Sequence, residues 1–417
     1  MRRLLLILSA LAVAACGSGP QSSESSALYG TVPSRAVAVM HFDRCSDALA
    51  LVLDSTSLFR SLDYGHLSDN EAILSFDYSA GLVPLLSIDA GRASADTSSQ
   101  VSKLLERAAA EGFRTHYTAA SLPRRSAVLI SRSQAAIDEA VQHISSGTSI
   151  LDAPGFREAL ALGSWPAGEI ILKNGAAKRW IPARMLKDRV PRKSLVGFVE
   201  GVAQWTVLGF RDYSREGVEV RFQDDGNAGK LSHLFAGLDA SECRLGAALP
   251  EGTDFVVDLP LADWHRYYDA LDECLDVRAV LSRHKGKLAG LARRDGRRPV
   301  DLMEEMNPRE IALLHWDGHE VLLLRPAKKP AKSGIAPNPY SGHIAAVFGS
   351  AFAIADDSFT APAGEWYVFG NEEDVSEYLD AEKAKFLQEI PKTAKYYLYN
   401  DVLSLQADGK NIILNVH

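Results

Sequence analysis

"VPSRAVAVMHFDRCSDALALVLD" (residues 32–54) and "LPEGTDFVVDLPLADWHRYYDALDE" (residues 249–273) follow one plan: a proline, a short apolar strand a few residues on, then a helix. In the second stretch Leu261, Trp264, Tyr268, Leu271 and Leu275 recur at intervals of three and four, the spacing of one buried helical stripe. Working outward, a hairpin follows each: "EAILSFDYSAGLVPLLSID" from Glu71 and "EIALLHWDGHEVLLLRP" from Glu310, the latter turning at Asp317 and Gly318. Both hairpins are apolar almost throughout, which places them in the middle of a sheet. Next come strands running into helices, "AVLISRSQAAIDEAVQHI" and "WYVFGNEEDVSEYLDAE", with Ser133 and Asn371 as the capping residues and Ile137 matching Val375. "WPAGEIILKN" and "IPKTAKYYLYN" then repeat proline, strand and asparagine, and "WTVLGFRDYSREGVEVRF" and "VLSLQADGKNIILNV" close the two halves as hairpins.

Five elements in the same order predict a tandem duplication, residues 27–225 and 226–417. The expected class is α+β, two pseudo-repeats, each a mostly antiparallel sheet of hairpins with helices packed on one face. Residues 175–195 have no counterpart in the second half and read as an insertion, where function is often carried on a repeated scaffold.

The chain begins "MRRLLLILSALAVAAC", two arginines and a short apolar run ending at Cys16, a secretory signal too short to span a bilayer. Val13, Ala14, Ala15 and Cys16 resemble the lipobox of bacterial lipoproteins, in which the cysteine is acylated and becomes the mature N-terminus. Such acyl chains, palmitate among them, anchor a protein to the membrane. Gly17 stands where some inner-membrane lipoproteins have aspartate, so the resemblance favours the outer membrane over the inner one, in the cell envelope that includes the periplasm. Residues 17–26, "GSGPQSSESS", have the composition of a flexible tether. The lipobox, Pro33 before the first strand and "VLISRSQAAIDEAV" are similar to uncharacterised bacterial envelope lipoproteins with duplicated domains of unknown function. That resemblance implies an envelope location and a two-copy fold, and brings no catalytic residues.

The 417 residues are 47% hydrophobic and 24% charged, enough for a sizeable core and too mixed for a polytopic membrane protein. Removal of the signal leaves 43 basic against 53 acidic residues, net −10, a poor balance for a nucleic-acid partner. Three cysteines remain. Cys243 and Cys274 are candidates for a disulfide, with three buried thiols, Cys45 included, as the alternative. Metal-ligand cysteine spacings, nucleophile elbows, phosphate loops and dinucleotide fingerprints are absent, and no cofactor is expected. His315 and His319 flank a turn and read as solvated, and His41, Asp43 and Cys45 read as a strand end running into a helix.

The insertion carries Lys178, Arg179, Trp180, Arg184, Lys187, Arg189, Arg192 and Lys193 against the single acid Asp188, a local reversal of sign in an acidic protein. It is the candidate partner-binding surface, a solvated helix capping the first sheet being the alternative. In "RHKGKLAGLARRDGRRP" (residues 283–299) the glycines predict a loop, and "KKPAK" (328–332) a linker. Tyr267, Tyr268, Tyr396, Tyr397 and Tyr399 are expected in the core. These features predict a membrane-anchored binding or scaffolding module for an envelope protein or glycan. A hydrolase of envelope glycan or peptide and a sensor or chaperone of exported chains are the alternatives.

Overall fold

The computed structural model describes residues 27–48, 64–77, 83–91, 95–122, 125–162, 165, 168–180, 192–210, 218–383, 391–400, 403–408 and 411–416. Cys16, the tether and Arg184, Lys187 and Arg189 lie outside the described residues. The chain divides into two compact units, Met1–Asp225 and Gly226–His417, and each combines antiparallel strands with helices. Among the described residues no helix is long and apolar enough to cross a membrane.

In the first unit β1 (Ala38–Phe42) leads into α1 (Cys45–Ala48), followed by β2 (Ala72–Asp77), β3 (Val83–Gly91) and α2 (Ala95–Ala110). Then come β4 (Arg114–Leu122), β5 (Arg125–Ser131), α3 (Gln134–Ser146), α4 (Phe156–Leu160) and β6 (Glu169–Lys173). Helices α5 (Ala177–Trp180) and α6 (Arg192–Val202) precede β7 (Trp205–Phe210) and β8 (Val218–Gln223). Across the sheet the order is β4-β5-β3-β2-β1-β6-β7-β8, every pairing antiparallel.

The second unit begins with α7 (Leu231–Ala236), β9 (Ser241–Glu242) and β10 (Thr253–Pro260), then α8 (Trp264–Val277), α9 (Leu281–Asp295) and α10 (Pro299–Met306). β11 (Pro308–Trp316), β12 (His319–Pro326), β13 (Ala336–Pro337), α11 (His343–Phe348), β14 (Phe359–Ala363), β15 (Trp366–Gly370) and α12 (Glu372–Asp380) follow. The chain closes with β16 (Thr393–Ala394), β17 (Tyr396–Asn400), β18 (Leu403–Asp408) and β19 (Asn411–Val416). Beyond the edge strand β13 the sheet runs β14-β15-β12-β11-β10-β17-β18-β19, again antiparallel throughout. β9 and β16 pair separately.

The two hairpins sit inside their sheets for the reason their sequences suggest. Ile73, Leu74, Leu86, Ile88, Val128, Leu129 and Ile130 are fully buried, as are Ile311, Ala312, Leu314, Val321, Leu323 and Leu324. Neighbours in a strand point to opposite faces, so both faces of the central strands are covered. On one face of the first sheet Leu28, Val32, Val39, Ile73, Ile171 and Trp205 form a cluster. In the second unit Leu245, Leu249, Val256, Ala312 and Tyr397 do so with Val375 and Tyr378 of α12. Leu28, Val32 and Val39 stand at the same offsets from Pro33 as Leu245, Leu249 and Val256 do from Pro250. Both helix starts form as the sequence predicts: the Ser133 side chain accepts from the Ala136 amide, and that of Asn371 from the Asp374 amide. At the β11–β12 turn Asp317 and Gly318 both adopt positive φ, 47° and 87°, which suits a two-residue hairpin.

Four expectations are corrected. Residues 283–299 are not a loop: α9 covers most of them, stops at Gly296 in the left-handed conformation, and α10 starts with Pro299 in its first turn. Gly286 and Gly290 cost roughly 1 kcal/mol each relative to alanine. Leu281, Leu288 and Leu291, half-buried against neighbouring helices, outweigh them. In α8 the buried stripe is Trp264, Tyr267, Leu271 and Cys274, so Tyr268 and Leu275 lie beside it rather than in it. The insertion reaches past Leu195, because Val196, Val199 and Val202 extend a buried stripe to the end of α6. Finally, Cys243 and Cys274 are free thiols, as is Cys45. Cys274 is packed in the α8 stripe, whereas the Cys243 thiol is set against Asp258, so the two sulfurs serve different surroundings.

Candidate functional site

β1 and β10 carry a polar residue at matching positions, eight residues after Pro33 and Pro250: His41 and Asp258. His41 lies opposite Ile73 on one neighbour and Glu169 on the other, and Asp258 opposite Ala312 and Tyr397. Two residues before Ile73 and Ala312, and so on the same face, stand Glu71 and Glu310. Each unit therefore buries a small polar cluster at one place in its sheet, although the residues differ.

In the first unit His41 Nε2 lies 2.7 Å from Glu71 Oε1 and Nδ1 lies 3.6 Å from Glu169 Oε1. The Tyr29 hydroxyl donates to Glu169 at 2.8 Å. Burial alone would lower the His41 pKa, but hydrogen bonds and charge from Glu169 and Glu71 outweigh it and raise it to about 10. At neutral pH the ring is a cation clamped between two carboxylates, which makes it a poor general base. Burial, reinforced by Glu169, pushes the Tyr29 phenol well up.

In the second unit Glu310, with no exposed surface, accepts from the Arg244 amide at 2.8 Å, the Leu245 amide at 3.0 Å and Arg325 Nε at 2.9 Å. Those donors pin the one-turn helix Leu245–Ala247 onto β11 and β12. Asp258 is also wholly buried, and neither of its oxygens makes a conventional hydrogen bond in the structure. Its polar surroundings are the Cys243 thiol, a weak donor, and the Leu259 backbone. Burial first, and the Glu310 charge second, raise the Asp258 pKa well above the ordinary carboxylate range. Burial raises Glu310 to about 7 despite Arg325 and the two amides. One guanidinium faces two carboxyls, and Asp258, the more deeply buried, holds its proton well above the ordinary carboxylate range. Burial and these two acids push the Cys243 thiol up, leaving it a poor nucleophile.

The remaining sequence candidates are not brought together. Burial raises Cys45 to about 12, and His41 is engaged by the carboxylates of Glu71 and Glu169 rather than by this thiol. His315 pairs with Glu320 at 2.9 Å and His319 with Asp374 at 2.8 Å. Register sets His315 opposite Glu320 and Trp316 opposite His319, so the two imidazoles lie on opposite faces of the hairpin and cannot share an ion. Among the described residues no histidine, cysteine and carboxylate group has metal-site geometry. Tyr267 is core, its hydroxyl donating to the Phe348 carbonyl at 2.8 Å, and Tyr397 is buried in the second sheet's cluster.

Of the basic insertion, exposed Lys178 and also Arg179 and Trp180 fall in α5, and Arg192 and Lys193 open α6. Asn174, at the start of this segment, is buried and ties it down. Its Nδ2 donates to the Ala203 carbonyl at 3.0 Å, and its Oδ1 accepts from Thr206 at 2.6 Å. The ends of the insertion are thereby held beside β6 and β7. Protein-family models, curated proteins and solved structures yield no match to this chain. Its function is therefore argued from its own residues.

The polar clusters are what sequence reasoning missed. Their signals were present: both apolar hairpins open on a glutamate, and both first strands carry a polar residue at the same distance from the proline.

Proposed function

We propose that the protein is a duplicated, lipid-anchored envelope lipoprotein that binds or scaffolds another envelope component and catalyses no reaction. In this reading an ancestral α+β unit was copied, Cys16 carries the acyl chains at the outer membrane, and the segment between β6 and β7 contacts an acidic protein or glycan. The observation that carries it is an asymmetry. Eight strands have one spatial order in both units, yet β17 and β18 are separated only by residues 401–402, while β6 and β7 are separated by 174–204 with its basic residues. A scaffold repeated strand for strand and supplemented at one connection points to that connection as the acquired surface. The buried clusters support the reading in part, because Glu71, Glu169 and Glu310 are occupied by the protein's own amides, phenol and cations.

The experiment is crosslinking in cells followed by capture, with the wild-type chain and a variant in which Lys178, Arg179, Arg184, Lys187, Arg189, Arg192 and Lys193 are glutamine. The expected result is a reproducible partner that the variant loses while its circular dichroism is unchanged. The same partner recovered by both chains would refute the role of the insertion.

A further inference from the structure

The second unit has a basic surface of its own, on α9. From Leu281 to Arg298 the chain holds seven lysines and arginines and one acid, Asp295, in a protein of net charge −8. No residue of α9 is buried. Leu281, His284, Leu288, Leu291 and Asp295 form its half-buried side, and Asp295 accepts from His343 Nε2 of α11 at 2.8 Å. On the opposite side Arg283, Gly286, Lys287, Gly290, Arg293 and Arg294 succeed one another at helical spacing, with no acid and no bulky apolar group between them.

Four of the seven cations have carboxylate partners: Lys285 with Asp272, Arg294 with Asp295, Arg297 with Glu305 and Arg298 with Asp301. Arg283, Lys287 and Arg293 have no ion pair among the described residues. The glycines add a second feature. Nothing lies within 4 Å of where a Cβ would be at Gly286 or Gly290, and neither has positive φ, so the fold itself does not require glycine there. They leave a bare strip of helix backbone rimmed by cations, which a flat anionic surface can approach closely. A third feature selects the kind of surface. Val277, 58% exposed, and Val280, 39% exposed, are two of the three exposed large apolar side chains among the described residues. Both sit at the turn between α8 and α9, with Arg278 between them and Arg283 just beyond, and Ala279 holds that turn at φ 56°. Apolar side chains protruding beside unpaired cations suit an interface where headgroup phosphates meet acyl chains.

We infer that α9 and the α8–α9 turn form a docking face for a membrane surface rich in anionic phospholipid, the valines entering the interface and Arg283, Lys287 and Arg293 contacting phosphates. The inference goes beyond the proposed partner role of the insertion and is independent of acylation at Cys16.

The test is co-sedimentation of the chain from residue 17 onward, which retains every described element, with two kinds of vesicle. One is pure phosphatidylcholine and the other equal parts phosphatidylcholine and phosphatidylglycerol. Binding to the anionic vesicles only is expected. Three lysines or arginines at such a surface correspond to about a hundredfold in partitioning, so the triple change Arg283→Gln, Lys287→Gln, Arg293→Gln should weaken it by about that factor. Val277→Ser with Val280→Ser, both exposed, should weaken it as well. Equal affinity for both vesicles, or wild-type binding by the triple variant, would overturn the proposal. So would failure to bind anionic vesicles while a soluble polyglutamate is retained, which would assign the face to an acidic polypeptide.

Discussion

Asp258→Asn should gain stability relative to the wild-type second unit as the pH rises from acid toward neutral. Asp258 is wholly buried, and burial with the Glu310 charge holds its carboxyl protonated in the folded state. In the unfolded chain it ionises near 3.8, so unfolding releases a proton whenever the solution is above that value. The sign follows: the raised group contributes stability that is full below 3.8 and is lost as pH rises toward its folded value. Each pH unit between 3.8 and the folded value costs about 1.4 kcal/mol. Asparagine has the shape of the protonated acid and no such loss. Against this gain stands an extra buried N–H, roughly 1–3 kcal/mol. That penalty leaves the variant at a deficit at pH 4, and the deficit shrinks, then reverses, as the pH rises toward the folded value of Asp258. The change between the two pH values does not depend on the size of that penalty. Hydrogen exchange of the slowest β10 and β11 amides, in variant and wild type at pH 4 and pH 7, reads it directly. A difference between the two chains that is the same at both pH values would refute a protonated Asp258.

His41 predicts a second pH effect. Its pKa is raised to about 10, so the stability it adds to the first unit is complete below 6.5 and disappears as pH climbs through 10; His41→Gln should flatten that loss in a melting series. Native protein should alkylate slowly with iodoacetamide at neutral pH, because burial holds Cys45 near 12 and Cys243 and Cys274 above their usual value. After unfolding without reductant all three should label, and a shortfall of two would restore the disulfide. A Cβ at Gly209 would fall 1.9 Å from the Trp165 indole, so Gly209→Ala should cost about 1–3 kcal/mol in urea unfolding, and wild-type stability would contradict the packing of Trp165 over β7.

What was legible in the sequence is what repeats or punctuates. Ser133 and Asn371 mark helix starts because their side chains satisfy amides one turn on, and Asp317–Gly318 marks a turn because few other pairs tolerate two positive φ values. Glu71 and Glu310 were in plain view at the heads of two hairpins. Only strand register, however, shows that they face His41 and Asp258, since pairing across β1–β2 and β10–β11 joins residues dozens of positions apart. The misreading of α9 has a different cause. Gly286 and Gly290 do disfavour a helix locally, but Leu281, Leu288 and Leu291 gain more from packing on α8, α10 and α11 than the glycines lose, and propensity takes no account of a neighbour. Free Cys243 follows from the same limit: its half-buried position beside Asp258 is a tertiary fact.

Attachment of the proposed binding module to an envelope membrane through Cys16 is read by metabolic labelling with an alkyne-bearing palmitate, followed by fractionation of cells carrying wild type or Cys16→Ala. Label is expected on the wild-type chain in the membrane fraction, with an unlabelled, soluble Cys16→Ala chain in the envelope. An unlabelled wild-type chain, or Cys16→Ala carrying the same label, would contradict it.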